Sequence, residues 1–249
     1  GGLLWLPLSL LLWITPGSGS GFRSLGSLGI VGGVAGVLFL TPFGTGLNEW
    51  LDGLRFHSLH PGMQRVAGIE TRHGLMELAA LEDERLTVND GAITASFPPS
   101  PQTLVETAWI LSQVEHPDRM LQIGGFHQGI TRALLDSSVQ HLQLLLEDAQ
   151  GFETLEPHLP SQQRATLADA RLKLAFGDGR AWVRQGMGRE TFDLILIHMG
   201  DPTSVRHNRF HTLEFFQSLV PLLSAEGVVC TRIGGAANYL GREVAGLGA

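Results

Sequence analysis

Cysteine, lysine and charge are what this 249-residue sequence has least of. Cys230 is its single cysteine, which excludes an internal disulfide framework and a CxxC metal site. Lys173 is its single lysine, the net charge is −7, and no basic run occurs. Nucleic acid binding needs a cationic surface that displaces counterions, so nucleic acid is not an expected partner. Charged residues make up 16% of the chain, against about 25% in an ordinary soluble domain. The shortfall is local: no charge precedes Arg23, and none stands between Arg23 and Glu49. From Glu49 onward the charge density is ordinary. This distribution excludes both a uniformly soluble protein and a disordered one.

What fills the charge-free region is apolar. Residues 2–14 form one run, shorter than the roughly 20 residues that cross a hydrocarbon core. A signal peptide would carry a positive n-region, which is missing. Residues 25–46 form a second run, long enough to span. Gly32, Gly33 and Gly36 would allow close helix contact in a bilayer, whereas in water each would weaken a helix by about 1 kcal/mol. Trp50 stands where an interfacial aromatic would. The expectation is a membrane segment over 1–48, made of a truncated helix and one spanning helix. A linker over 49–61 then carries solvated His57 and His60. Neither terminus, Gly1 nor Ala249, has the look of a natural end, and a fragment of a longer chain is expected.

Residues 62–100 are short, partly alternating runs, and Asn89-Asp90-Gly91 between two of them signals a hairpin. A small β unit is expected, closed by Pro98, Pro99 and Pro101. A helix follows over Gln102–Val114. From Arg119 the pattern alternates. Strands are expected at Met120–Ile123, Leu142–Leu146, Leu172–Phe176, Phe192–Ile197 and Val228–Ile233, and helices near 130–136, 160–168, 179–185 and 210–223. Such alternation predicts a parallel sheet covered by helices over 101–249. Ligands of such sheets bind at the carboxyl ends of the strands.

Those strand ends carry the informative residues. Gly124, Gly125 and Gly129 follow the first strand and let backbone approach a ligand, though a plain turn would also use them. Glu147-Asp148 follow the second. An acid about twenty residues past a Gly-rich loop is placed for ribose hydroxyls, while the same pair would equally serve a helix N-terminus. Asp178 and Gly179 follow the third, where an Asp can accept a bond from an adenine amino group. His198 to Ser204 follow the fourth, with Asp201 at the mouth. His207 and His211 share a metal-ligand spacing, but no third ligand matches, and no metal is expected. Trp182 and Phe192 read as core.

The order GG-x-x-x-G, LLLED, GDGRAWV and FDLILIHMGDPTS…NRFHTLEFF resembles the spermidine synthase family of polyamine aminopropyltransferases. The likeness runs from about Gln64 to Tyr239, and the apolar start resembles membrane-fused members. It implies a Rossmann-like class I methyltransferase fold behind a small N-terminal β unit, with transmembrane helices before both. It implies no tightly bound cofactor, and decarboxylated S-adenosylmethionine, or S-adenosylmethionine, as co-substrate. A small-molecule amine is the implied acceptor, a homodimer is compatible, and the Rossmann-like domain of the membrane protein would be cytoplasmic. By resemblance Gln64 and His127 belong to the donor site with Gly124, Gly125 and Gly129. Glu147 holds the ribose, Asp178 the adenine with Gly179 beside it, and Asp201 and His198 are catalytic.

Two departures bear on the chemistry. The family's glycine loop carries an aspartate for the donor amine, and His127 stands there. Its loop after the fourth strand opens on an aspartate that helps deprotonate the attacking amine, and His198 stands there. Leu104-Val105 precede Glu106 where the family has a Tyr-His or Tyr-Gln pair. A histidine can accept a proton but does not attract a polycation. At an effective dielectric near 20, each lost carboxylate at about 4 Å removes on the order of 4 kcal/mol of attraction before desolvation. Weak turnover of ordinary diamines is therefore expected. A non-catalytic nucleoside-binding or interaction module and a methyltransferase are the alternatives on the same fold.

Overall fold

The computed structural model describes residues 42–126, 129–186, 190–200, 202 and 205–231. The chain divides into two compact units, Gly1–Pro61 and Gly62–Ala249. The described part of the first is one helix, α1, over Pro42–Leu59. The expected linker at 49–61 is therefore helical to Leu59, and its physical stop is Pro61, which cannot continue the ladder. No helix among the described residues is long and apolar enough to cross a membrane. Most of the expected spanning stretch, residues 25–41, and the whole run at 2–14 lie outside the described residues.

The second unit opens with four antiparallel strands in order β1-β2-β3-β4. They run over Gln64–Thr71, Gly74–Leu81, Glu84–Asn89 and Ala92–Phe97. The last hairpin turns at Asp90 (φ 51°) and Gly91 (φ 83°), the left-handed pair that a two-residue turn demands. Asp90 also accepts the Leu75 N–H at 2.9 Å, fastening this turn to the start of β2.

Helix α2, Pro101–Leu111, starts with the Ser100 hydroxyl accepting from the Thr103 N–H. The second sheet is parallel, ordered β7-β6-β5-β8-β9. Its strands are β5 Arg119–Ile123, β6 His141–Leu146, β7 Leu172–Phe176, β8 Phe192–Ile197 and β9 Leu223–Thr231. The connecting helices are α3 Ile130–Leu135, α4 Ala149–Leu155, α5 Ser161–Leu167, α6 Gly179–Gly186, α7 Val205–Asn208 and α8 Leu213–Leu219. The stretch expected as one helix over 210–223 is α8 plus a 3-10 turn at Val220–Leu222, where Pro221 breaks the ladder.

Near-continuous apolar strands such as Phe192–Ile197 are buried on both sides of the sheet. One face packs Ile110, Ile130, Leu134 and Leu135 against Met120, Leu142 and Leu194. The other packs Val183, Phe210, Phe215 and Leu219 against Leu121, Ile195 and Ile197, with Phe192 buried and Trp182 beside it as core residues. A third cluster joins Leu78 and Phe97 of the antiparallel sheet to Phe126, Leu144 and Phe152. It seats the β unit over the carboxyl end of the parallel sheet. The chain walks from β5 outward to β7, then returns to the other side with β8, so the crevice opens after β5 and β8.

Candidate functional site

The glycine turn after β5 is shaped by what lies across from it. Gly124 and Gly125 have φ of 77° and 78°, values that L side chains rarely adopt. A Cβ on Gly124 would stand 2.8 Å from the His198 carbonyl oxygen, and one on Gly125 would stand 2.6 Å from His198 Nδ1. Glycine here lets the loops after β5 and β8 close on each other. Buried Gln122 fastens the turn: its amide donates to the Gly124 carbonyl at 2.7 Å and accepts from the Thr131 hydroxyl at 3.1 Å. Gly129, ahead of α3, lies against Pro99.

The two residues after β6 divide their work. The Asp148 carboxylate caps α4, accepting from the Gly151 N–H at 2.9 Å, and it also accepts from the Thr71 hydroxyl of the β unit at 2.5 Å. Glu147 is the buried one, its side chain 5% exposed. Arg209 donates to its carboxylate, and Arg206 approaches it at 3.5 Å while also donating to the His73 carbonyl. The same Arg209 reaches across to Asp178, after β7, at 2.6 Å. Asp178 further accepts the Ala181 N–H at 2.9 Å. Burial pushes the Asp178 carboxyl up, but the bonds from Ala181 and Arg209 outweigh it and hold the group below the usual carboxylate range. Burial, seconded by the Arg206 guanidinium, holds His73 below the ordinary imidazole range. Gly179 is thin for a reason of its own: a Cβ would meet the Phe210 ring at 2.9 Å.

At the end of β8, His198 is 4% exposed. Its Nε2 lies 3.4 Å from Glu106 Oε1 of α2. Neither ring nitrogen has a hydrogen-bond partner among the described residues.

Cavities connect these groups. One of about 280 Å³ is lined by Gly124, Glu147, Asp148, His198 and Met199, with His73 and Asp90 from the β unit. A wider one of about 590 Å³ is lined by Arg72, His73, Glu147, Asp178, Arg206 and Arg209. A small one of about 110 Å³ reaches His198 from the other side, among Ser96, Ser100, Thr103 and Glu106.

Glu147 thus faces both larger cavities, Asp178 one of them, and Gly124 and His198 the other. His127 and Asp201 lie outside the described residues. Gln64, expected in the donor site, is not among the residues brought together there. It stands exposed at the outer start of β1, paired with Ala80, and lines none of these cavities. Seven residues of strand, roughly 20 Å at about 3.3 Å per residue, separate it from Thr71, where β1 meets Asp148. Sequence reading missed Arg206 and Arg209 as partners of the two acids, and Gln122 as the fastener of the glycine turn. Two arginines three apart in the loop after β8 were the available signal. His211 Nδ1 lies 3.0 Å from the His207 carbonyl oxygen. No group of three metal-ligating side chains occurs among the described residues.

A parallel sheet with a glycine turn after one strand and acids after the next two is the arrangement of a Rossmann-like α/β protein. Residues 104–239, more than half of the chain, match the spermine/spermidine synthase domain, and the chain belongs to that family. It is 32% identical over 130 residues to a polyamine aminopropyltransferase of Korarchaeum cryptofilum, covering 52% of this chain and 39% of that one. It is 33% identical over 116 residues to one of Prochlorococcus marinus, covering 46% and 40%. The chain thus spans about two-fifths of the length of these curated relatives. Among solved structures, a spermidine synthase in complex with the transition-state analogue AdoDATO superposes with a TM-score of 0.60 at 22% identity, over 68% of this chain and 57% of that one. The spermidine synthase of Thermotoga maritima gives 0.56 at 22% identity, over 68% and 56%. The fold is theirs, a Rossmann-like parallel sheet with a β unit before it.

Proposed function

We propose that this chain carries the donor half of a polyamine aminopropyltransferase site. It would move an aminopropyl group from decarboxylated S-adenosylmethionine to a polyamine or related amine. The observation that carries the reading is the placement of Gly124, Glu147 and Asp178 on two cavities that share Glu147 in their walls, inside a spermine/spermidine synthase domain. Glu147 would take the ribose hydroxyls and Asp178 the adenine amino group. Gly124 and Gly125 would leave room for the sulfonium, and no tightly bound cofactor is needed. Calorimetric titration of the full-length parent with decarboxylated S-adenosylmethionine, S-adenosylmethionine and methylthioadenosine tests it. Preference for the decarboxylated donor, with methylthioadenosine released when an amine is added, is the expected result. Methyl transfer from the carboxylated donor would replace it with the methyltransferase reading.

A second reading, binding without turnover, draws on one feature: Arg209 already occupies both carboxylates. It predicts methylthioadenosine affinity with no product from any amine.

We also propose that residues 25–46 attach the protein to a membrane, with the Rossmann-like domain on the cytoplasmic side. The support is the uncharged stretch from Ser24 to Asn48. Carbonate extraction of forms with and without residues 1–48 is expected to leave the longer one in the membrane pellet. Its release into the soluble fraction would count against the attachment.

A further inference from the structure

The loss of an aspartate at position 198 leaves the question of what accepts the amine proton. His198 is almost fully buried, its two ring nitrogens face different surroundings, and they are differently placed. Nε2 points to Glu106 Oε1 at 3.4 Å. Nδ1 points to the glycine turn, where a Cβ on Gly125 would lie 2.6 Å away and cover it. Glycine at 125 therefore leaves Nδ1 buried against bare backbone, uncovered by any side chain there and without a hydrogen-bond partner among the described residues, on the side where the donor's sulfonium would sit.

Resting on the aminopropyl-transfer reading, we infer that Glu106 is a positioning residue that makes His198 the proton acceptor for the attacking amine. A carboxylate beside one imidazole nitrogen selects the tautomer that carries hydrogen there, and it stabilises the imidazolium formed when the other nitrogen takes a proton. With Nε2–H turned to Glu106, the lone pair is on Nδ1. Glu106 is held for this task. It lies on the inner side of α2, four residues before buried Ile110, with its side chain 22% exposed into the small hydroxyl-lined cavity. The carboxylate is thereby partly exposed while the His198 ring is buried.

The step balances without any further reactant. The amine lone pair forms a C–N bond to the aminopropyl carbon next to sulfur. The C–S bond breaks and its electron pair stays on sulfur, turning the sulfonium into neutral methylthioadenosine. The proton shed by the nitrogen goes to His198 Nδ1. One carboxylate at α2 thus replaces, through an imidazole, the carboxylate that position 198 lacks. The other charged or titratable groups lining the cavities that reach His198 are His73 and Asp90 from the β unit, Glu147 and Asp148 after β6, and Arg206 and His207 from α7.

The test uses the full-length parent with decarboxylated S-adenosylmethionine and putrescine, following methylthioadenosine release against pH. Glu106→Gln is expected to lower kcat at least tenfold and to displace the acidic limb of the kcat profile, with methylthioadenosine affinity unchanged. Glu106→Asp is expected to recover part of kcat. Nitrogen NMR of the His198 ring is expected to show hydrogen on Nε2 in the wild type and a mixture of tautomers in Glu106→Gln. Wild-type turnover that survives Glu106→Gln with the same pH profile overturns the proposal and leaves the aminopropyl reading standing. A loss of methylthioadenosine affinity in Glu106→Gln also overturns it, since Glu106 would then be a structural support. A wild-type protein that binds methylthioadenosine yet turns over no amine overturns the proposal together with the reading beneath it.

Discussion

Glu147→Ala is expected to weaken methylthioadenosine binding by about 1.5–3 kcal/mol, the range for hydrogen bonds to a charged group. It is also expected to destabilise the protein. The Glu147 side chain is only 5% exposed and sits between Arg206 and Arg209. Its removal leaves two guanidinium groups facing a cavity with no carboxylate from β6. Breaking a fully buried pair costs about 3–5 kcal/mol. The arginines here are about one-third exposed, so water recovers part of that, and about 2 kcal/mol is expected. Calorimetry reads the affinity and urea unfolding the stability. Asp178→Ala separates the two effects, because Asp178 is far more exposed than Glu147. It should weaken binding while costing less stability than Glu147→Ala, about 1 kcal/mol for the lost bond to the Ala181 N–H. Unchanged affinity in both folded variants would remove the ribose and adenine assignments together.

Why some of this was legible in the sequence and some was not follows from range. The inner parallel strands announce themselves because a strand buried on both faces is a near-continuous apolar run, and those at Arg119–Ile123, His141–Leu146 and Phe192–Ile197 are each followed by glycine or a polar residue. Phe192–Ile197 has the expected bounds for that reason, whereas Leu172–Phe176 is a half-exposed edge strand that stops at Gly177. Asp90 and Gly91 announce their hairpin through backbone geometry alone. Helix α4 was invisible because Gly151 interrupts a short run, and its start is set by the Asp148 cap. Asp148 had equal standing as a ligand group until Gly151 and Thr71 were seen to hold it. The pairs that define the site are the least legible. Glu106 meets His198 across 92 positions, and Arg209 meets Glu147 across 62. No local pattern encodes such meetings. They arise because α2 and the loops after β6 and β8 meet at the carboxyl end of the sheet. The two missing acids led the sequence reading to a site short of negative charge. Position 198 does lack one, but Glu106 supplies a carboxylate beside it that spacing alone did not place there.

Arg209→Ala is expected to move affinity and stability in opposite directions. Arg209 bonds both Glu147 and Asp178 and lies 4.8 Å over the Phe210 ring. A nucleoside that uses the two carboxylates must first displace it, so part of the ligand's binding energy is spent on that exchange. Truncation removes the competitor. The side chain is 31% exposed, and water screens its bonds, so methylthioadenosine should bind roughly five- to tenfold more tightly, about 1–1.4 kcal/mol at the conversion of 1.4 kcal/mol per tenfold. Unfolding should become easier, since the cation–π contact, about 0.5–1 kcal/mol at a half-exposed site, is lost with the ion pairs. A purely structural arginine would lower both quantities, and one that stacks on the ligand would lower affinity. The double change Glu147→Ala with Arg209→Ala completes the argument. If Arg209 acts by occupying Glu147, its truncation gains less affinity when Glu147 is already absent, and the two effects fail to add by at least about 0.5 kcal/mol. Additive effects, measured by calorimetry in the four forms, would show that Arg209 and the nucleoside do not compete for the Glu147 carboxylate.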